Sequence, residues 1–179
     1  MRAIWAVGII WFSLAAMAEG QAYQAGLYDG RSVPGWTYSE AGTQSANLPT
    51  WYPTDGSQTR DGANCNVGTA AVSGTAAQWN EYFASVTPQS FVQQLRANGT
   101  DATQGYLTEI VTLNGRPAMR NLLAVNAGDQ QMEFMILSIS GADQLVTVTC
   151  TALSGQLLPR LTQFYSFAEG LTVYTAAPR

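Results

Sequence analysis

Side chains suited to acid–base, nucleophilic or metal chemistry are few in this chain, which contains no His and whose basic residues are all Arg. His is the usual general base near neutral pH and the commonest metal ligand, so its absence excludes Ser-His-Asp, Cys-His and His-ligated metal sites. Schiff-base and Ser-Lys chemistry need a Lys and are excluded as well. Carboxylate catalysis, an oxygen-ligated cation or no catalysis remain, and we expect no cofactor and no metal.

Glu109 and Glu133 are the best carboxylate pair, because both fall in predicted strands. If their strands pair with the strand between them, the two side chains could share a face of the sheet. Paired carboxylates at a suitable distance hydrolyse glycosidic bonds. Charged strand residues also simply mark the solvated side, so the pair does not by itself indicate an enzyme.

Arg116 and Arg120 lie on one face of a predicted strand. Two guanidinium groups arranged in this way could hold a carboxylate or phosphate of a ligand through bidentate hydrogen bonds. Salt bridges across the sheet to Glu109 or Glu133 are the alternative. The two arginines therefore form a candidate binding surface.

Cys65 and Cys150 are the only cysteines. Each alternates with polar neighbours in a strand-like pattern, so both thiols point toward an apolar face. In an oxidising compartment, two such cysteines favour one buried disulfide between two strands. Two separate buried thiols are the alternative.

Residues 19–62 read as a loop-rich arm, with many Gly, Ser, Pro and turn dipeptides but also large aromatic side chains. Trp36, Trp51 and Tyr52 are too large and apolar to be left in a solvated tail. They either pack the arm across the domain or provide a stacking platform for a ligand.

Helical periodicity follows in residues 75–98, where Trp79, Tyr82 and Phe83 share one face of a predicted core helix. Thr87 is a predicted N-cap, with Pro88 at the first position of a second helix. A third predicted helix carries one apolar stripe and ends before Gly170. The stripe consists of Leu158, Leu161, Tyr165 and Ala168.

Strand patterns occupy residues 106–113, 118–126, 131–139 and 144–152. Asn114-Gly115 between the first two is a strong hairpin signal. Short turns join the four strands, so they predict an antiparallel meander, and residues 171–174 could add a short edge strand. With helices on either side, the pattern predicts an α+β domain over residues 63–179 that contains a four- to six-stranded sheet.

The N-terminal residues 1–18 read as a secretory signal peptide: Arg2, an apolar core and a small-x-small cleavage site ending at Ala18. The apolar run is about a dozen residues, short of the roughly 20 that span a membrane, although an uncleaved anchor is the alternative. The mature protein is expected to begin at Glu19, in the periplasm or secreted, without stable membrane insertion.

Acidic residues outnumber basic ones by 12 to 8, and the formal net charge is −4. Loss of Arg2 with the signal peptide makes the chain more negative. An acidic chain with no basic patch argues against binding to nucleic acid or anionic lipid surfaces. We expect the partner to be another envelope protein.

Residues 75–175 resemble the PsbP-like family, which includes extrinsic photosystem subunits and the DcrB-type envelope proteins of bacteria. The resemblance is carried by the hairpin at residues 115–118, the strand at residues 146–150 and the helix at residues 159–167. It implies an α/β/α sandwich built on an antiparallel sheet and an accessory role without catalysis.

Three functional hypotheses follow. The first is a non-enzymatic exported accessory or binding protein that acts through protein–protein contact. The second is a periplasmic binder of small ligands or glycans, with Trp36, Trp51 and Tyr52 as its aromatic platform. The third is a carboxylate-only glycoside hydrolase.

Overall fold

The computed structural model describes residues 28–30, 33–71, 75–140 and 144–173. The predicted signal peptide, the expected mature start at Glu19 and the predicted turn around residues 141–143 lie outside these ranges. Among the described residues, no helix combines the length and apolar character needed to cross a membrane.

The described residues form nine strands and five helices. The strands are β1 (Tyr28–Asp29), β2 (Trp36–Ser39), β3 (Thr50–Pro53), β4 (Asn64–Ala71), β5 (Ala102–Leu113), β6 (Arg116–Ala127), β7 (Gln130–Ser140), β8 (Gln144–Leu153) and β9 (Thr172–Val173). The helices are α1 (Glu40–Ala46), α2 (Ser57–Asp61), α3 (Ala76–Ser85), α4 (Pro88–Ala97) and α5 (Leu157–Gly170).

Seven of the strands form one antiparallel sheet in the order β2-β3-β4-β8-β7-β6-β5. The predicted meander β5 to β8 is confirmed, but the sheet is larger than the four to six strands expected. The difference arises in residues 19–62, predicted to be a loop-rich arm, which supply β2 and β3. Both strands have only four residues and lie in a segment rich in Gly, Ser, Pro and turn dipeptides, so the composition of the segment gave no strand signal.

Local sequence signals explain the two helices before β5. Thr87 caps α4 by accepting a hydrogen bond from the Ser90 amide at 3.1 Å, with Pro88 at the first helical position, as predicted. Thr75 and Gln78 form the equivalent capping box at α3. The turn between β5 and β6 is also as predicted, because Asn114 and Gly115 both adopt positive φ, 50° and 77°.

Helices cover both faces of the sheet, which confirms the α/β/α sandwich. α5 packs on one face over a core that includes Val67, Met135 and Val148. α3 and α4 pack on the other face, where Trp79 is 3% exposed beside Met119. The predicted core role of the Trp79 helix is therefore confirmed.

The buried face of α5 differs from the prediction. Leu158 is 73% exposed, whereas Leu157, Phe164 and Phe167 are buried. Leu157 and Leu158 are adjacent and fit the helical period almost equally well. The predicted stripe included Leu158, but Leu157 is the buried residue.

The end of α5 also differs from the prediction. Gly170 is the last residue of the helix, not the residue after it, and a Cβ there would approach Val33 Cγ1 to 2.7 Å. Beyond it, β9 pairs with β1 in a separate two-stranded sheet. The segment therefore adds no edge strand to the main sheet, and residue 174 lies outside the described residues.

Candidate functional site

The two tryptophans of the predicted aromatic platform are core residues. Trp36 is 8% exposed and Trp51 1% exposed, and their ring centroids lie 4.8 and 5.5 Å from that of Phe167 on α5. Trp51 Nε1 donates a hydrogen bond to the Gly30 carbonyl at 3.0 Å. In this arrangement the indoles join β2 and β3 to α5 and present no stacking surface to a ligand.

Tyr52 lies apart from the two indoles. It follows Trp51 in β3, so its side chain points to the opposite face of the sheet, where it is half-buried. A Cβ on Gly42 of α1 would come within 2.7 Å of its hydroxyl oxygen, which shows how closely this helix packs on Tyr52. The three aromatic residues therefore do not form one platform.

The cysteines form the predicted disulfide between neighbouring strands. Cys65 of β4 and Cys150 of β8 are directly opposite each other, with Cα atoms 4.0 Å apart. Both residues are fully buried on the α5 face. The bridge is thus part of the core and offers no exposed thiol for chemistry.

The candidate carboxylates share a sheet face but are far apart. Glu109 lies opposite Arg120, and Glu133 lies opposite Ala124, so β6 separates them. They are roughly 13 Å apart along the strands and about 10 Å apart across them. Glycosidase carboxyl groups are at most about 9.5 Å apart, and this placement does not fit that reaction.

Both carboxylates have structural partners. Glu109 forms an ion pair with Arg120. Glu133 is 9% exposed and accepts a hydrogen bond from the Leu157 amide at 3.0 Å, at the start of α5. Its other oxygen accepts one from the Tyr106 hydroxyl at 3.2 Å, and burial followed by the Glu133 charge raises the pKa of that phenol.

The candidate arginines lie on the α5 face of β6, next to the edge strand β5. Arg120 pairs with Glu109, and its guanidinium carbon is 4.8 Å from the centroid of the Tyr165 ring on α5. We call the surface formed by Glu109, Arg116, Arg120 and Tyr165 the arginine face. Both predicted arginines lie on it, about 13 Å apart along β6, and Tyr165 lies beside Arg120.

Arg116 differs from Arg120 in its contacts. Its Nη1 atom is buried and has no hydrogen-bond partner among the described residues; in Arg120 the buried atom without a partner is Nε, while Nη2 binds Glu109. Just before Arg116, Asn114 Nδ2 donates to the carbonyls of Glu169 and Leu171 at 3.1 and 3.2 Å. These bonds fix the hairpin against the end of α5, so the Arg116 backbone is held in place while part of its guanidinium is unpaired.

Tyr165 completes the arginine face as a half-buried ring. Burial raises the pKa of its phenol, the nearby Arg120 charge opposes that rise, and Glu169 adds to it. Its stacking on Arg120 is a cation–π contact. The helical period predicts Tyr165 in the core stripe of α5, and only the position of α5 on the sheet reveals its contact with Arg120.

A second charged cluster joins α2 to α5. Arg160 forms ion pairs with Asp55, at 2.8 Å, and with Asp61, which also accepts hydrogen bonds from Arg60. Hydrogen bonds from Ser57 hold the pKa of Asp55 well below its usual range, and the bond from Arg60, followed by that from Arg160, lowers the pKa of Asp61. Because its charges are paired with one another, the cluster serves to hold α2 against α5.

No group of three or more metal-ligating side chains occurs among the residues that the structure describes. The arginine face is therefore the best candidate for an interaction site in this part of the chain. It can offer guanidinium hydrogen bonds to an anionic group and the ring of Tyr165 to a neighbouring side chain. Its carboxylate, Glu109, is held in the ion pair with Arg120.

No protein-family model matches the chain, and no curated protein matches it. Among solved structures, it is similar to cyanobacterial PsbP (CyanoP) from Synechocystis sp. PCC 6803, with 15% identity and a TM-score of 0.50 over 84% of this chain and 88% of that one. It is also similar to LpqN of Mycobacterium tuberculosis, with 13% identity and a TM-score of 0.52 over 82% of each chain. The resemblance predicted from the sequence is thus confirmed at the level of structure: the chain has the PsbP-like fold.

Proposed function

We propose that this chain is an exported, non-enzymatic accessory protein of the cell envelope that binds another protein through the arginine face. The signal-peptide pattern of residues 1–18 supports export, with the periplasm as the expected compartment. LpqN, which has a similar fold, is described as involved in cell envelope biogenesis. The absence of His and Lys from the sequence supports a role without catalysis.

The buried Nη1 of Arg116 is the single observation that carries the proposal. A buried donor without an acceptor costs about 1–3 kcal/mol, and more for a charged group. Because Nη1 is buried, a partner's carboxylate would reach it only after the Arg116 side chain turns outward. The carboxylate would then remove this cost and could form two parallel hydrogen bonds with the guanidinium. Arg120 is already neutralised by Glu109, so Arg116 is the available cation of this face.

The partner is therefore expected to present an acidic side chain and, about 13 Å away, an apolar or aromatic one. The carboxylate would bind Arg116, and the second side chain would contact the half-buried ring of Tyr165 beside Arg120. The fixed hairpin at Asn114 reduces the ordering that binding requires.

The experiment is affinity capture from the envelope fraction of the source organism, with quantitative mass spectrometry. The baits are the wild-type protein, Arg116→Ala and, as a control, Arg60→Ala. Arg60 is a suitable control because its side chain is 60% exposed and lies on α2.

We expect one envelope protein to be enriched by the wild type and by Arg60→Ala, and to be reduced about tenfold or more with Arg116→Ala, the effect of losing one charged hydrogen bond. Equal capture by all three baits would contradict the role of the arginine face. Absence of any enriched protein would contradict the accessory role itself.

A further inference from the structure

β5 is the last strand of the seven-stranded sheet, and no described residue pairs with its outer edge. The other edge strand, β2, has four residues, whereas β5 has twelve. An edge strand presents unpaired amide and carbonyl groups, which form a template for another strand. The length of β5 makes it the larger template.

The first half of β5 is protected against such pairing. Its register with β6 shifts twice, at residues 102–104 and 105–107. Arg96 also donates hydrogen bonds to the carbonyls of Ala102 and Thr103, at 2.6 and 3.0 Å. Bulges and blocked carbonyls are common devices that prevent edge-to-edge association.

The second half, residues 107–113, has none of these devices. It pairs regularly with β6, contains no Lys or Pro, and carries one charge, on Glu109. Ile110 is 46% exposed at its centre. The contrast between the two halves indicates an edge that is open to pairing in one segment only.

We propose that a second copy of this chain pairs with residues 107–113 in antiparallel fashion, about a two-fold axis through Ile110. This register places Ile110 opposite Ile110 of the second copy, and Thr108 opposite its Thr112. Leu107 would face Leu113 in the same way. Directly opposed pairs of this kind stabilise antiparallel sheets.

Charge also favours a second copy as the occupant. In this register Glu109 faces Val111 of the other copy, so no like charges are directly opposed. Each Glu109 is already neutralised by its own Arg120. The interface is isologous and joins two seven-stranded sheets into one. Seven residues bury little area and the chain carries a net charge of −4, so the dimer is expected to be weak and concentration-dependent.

Cysteine cross-linking tests the register directly. Ile110→Cys lies on the proposed axis and should form an intermolecular disulfide under mild oxidation, because directly opposed Cβ atoms are about 4.5–5.5 Å apart. Thr108→Cys alone should not cross-link, and neither should Thr112→Cys alone. A mixture of these two variants should give the heterodimer, since residues 108 and 112 face each other across the axis.

Sedimentation velocity over a range of concentrations tests the association without cysteines. The apparent mass of the wild type should rise toward twice the monomer mass as concentration rises. Ile110→Lys should stay monomeric, because it places two like charges opposite each other on the axis, and it should retain the circular dichroism spectrum of the wild type. A wild type that remains monomeric with an uncross-linked Ile110→Cys would overturn the proposal. Slow amide exchange at residues 107–113 in that monomer would indicate instead that another segment of the same chain pairs with this edge.

Discussion

Replacing Trp51 with Ala tests whether the N-terminal aromatic residues stabilise the fold or bind a ligand. The side chain is 1% exposed, contacts the Tyr38 and Phe167 rings at centroid distances of 5.4 and 5.5 Å, and donates a hydrogen bond to the Gly30 carbonyl. Truncation of a buried Trp costs about 3–5 kcal/mol. For a domain of this size, each kcal/mol lowers the melting temperature by roughly 2–4 °C, so we expect a decrease of about 10 °C.

Thermal unfolding followed by circular dichroism measures this decrease, and Tyr52→Ala is the matched control. Tyr52 is the next residue but is half-buried on the other face of the sheet, so its loss should lower the melting temperature by less than half as much. Both variants should capture the envelope partner normally at low temperature. A decrease below about 3 °C for Trp51→Ala, together with weaker capture, would refute the assignment of Trp51 to the core.

Three further predictions concern interactions that stabilise the fold: the disulfide, the ion cluster of Arg160 and the cap of α5 by Glu133. Replacing both Cys65 and Cys150 with Ala should lower the free energy of unfolding by about 4–5 kcal/mol in the chain-entropy account, measured by calorimetry. Partner capture should persist at low temperature, and its loss at unchanged stability would contradict a purely structural bridge. The folded pKa values of Asp55 and Asp61 lie below their unfolded values. Their stabilisation is therefore complete above about pH 5 and is lost progressively as the pH falls toward the folded pKa values. Asp61→Asn should accordingly show a shallower decline in melting temperature between about pH 5 and pH 3 than the wild type, and identical pH profiles would count against the ion cluster. Glu133→Ala should lower the free energy of unfolding in urea by about 1–2 kcal/mol, because the first amide of α5 loses its charged acceptor. An unchanged urea midpoint would exclude this capping role.

The part of the fold that could be predicted from sequence is the part specified by neighbouring residues. Asn114-Gly115 determines one hairpin, and Thr87-Pro88 determines the start of α4. The alternation around Cys65 and Cys150 went further, since it indicated two strands that prove to be direct neighbours. These signals act over a few residues or through one covalent bond.

The rest depends on tertiary contacts that no local pattern encodes. β2 and β3 are four-residue strands whose stability comes from Trp36 and Trp51 packing on α5. The rotation of α5 could not be decided between Leu157 and Leu158, because both fit the helical period. Packing of the helix on the sheet determines the rotation, and Leu157 is the residue that becomes buried.

The candidate site shows the same division. The period of a strand places Arg116 and Arg120 on one face, and an ion pair with Glu109 is one of the outcomes that this placement predicts. The contact with Tyr165 was not predictable, since it depends on how α5 crosses the sheet. The unpaired Nη1 of Arg116 is likewise visible only when its neighbours are known.

Site-specific photo-cross-linking in the source cells tests the arginine face most directly. The photoreactive amino acid p-benzoylphenylalanine would replace Tyr165 on this face and, as a matched control, Tyr52 on the opposite face of the sheet. We expect an adduct with one envelope protein at position 165, none at position 52, and loss of the adduct when Arg116→Ala is added. An adduct at position 52 alone, or one at position 165 that persists with Arg116→Ala, would contradict the proposal that the protein binds its partner through Arg116.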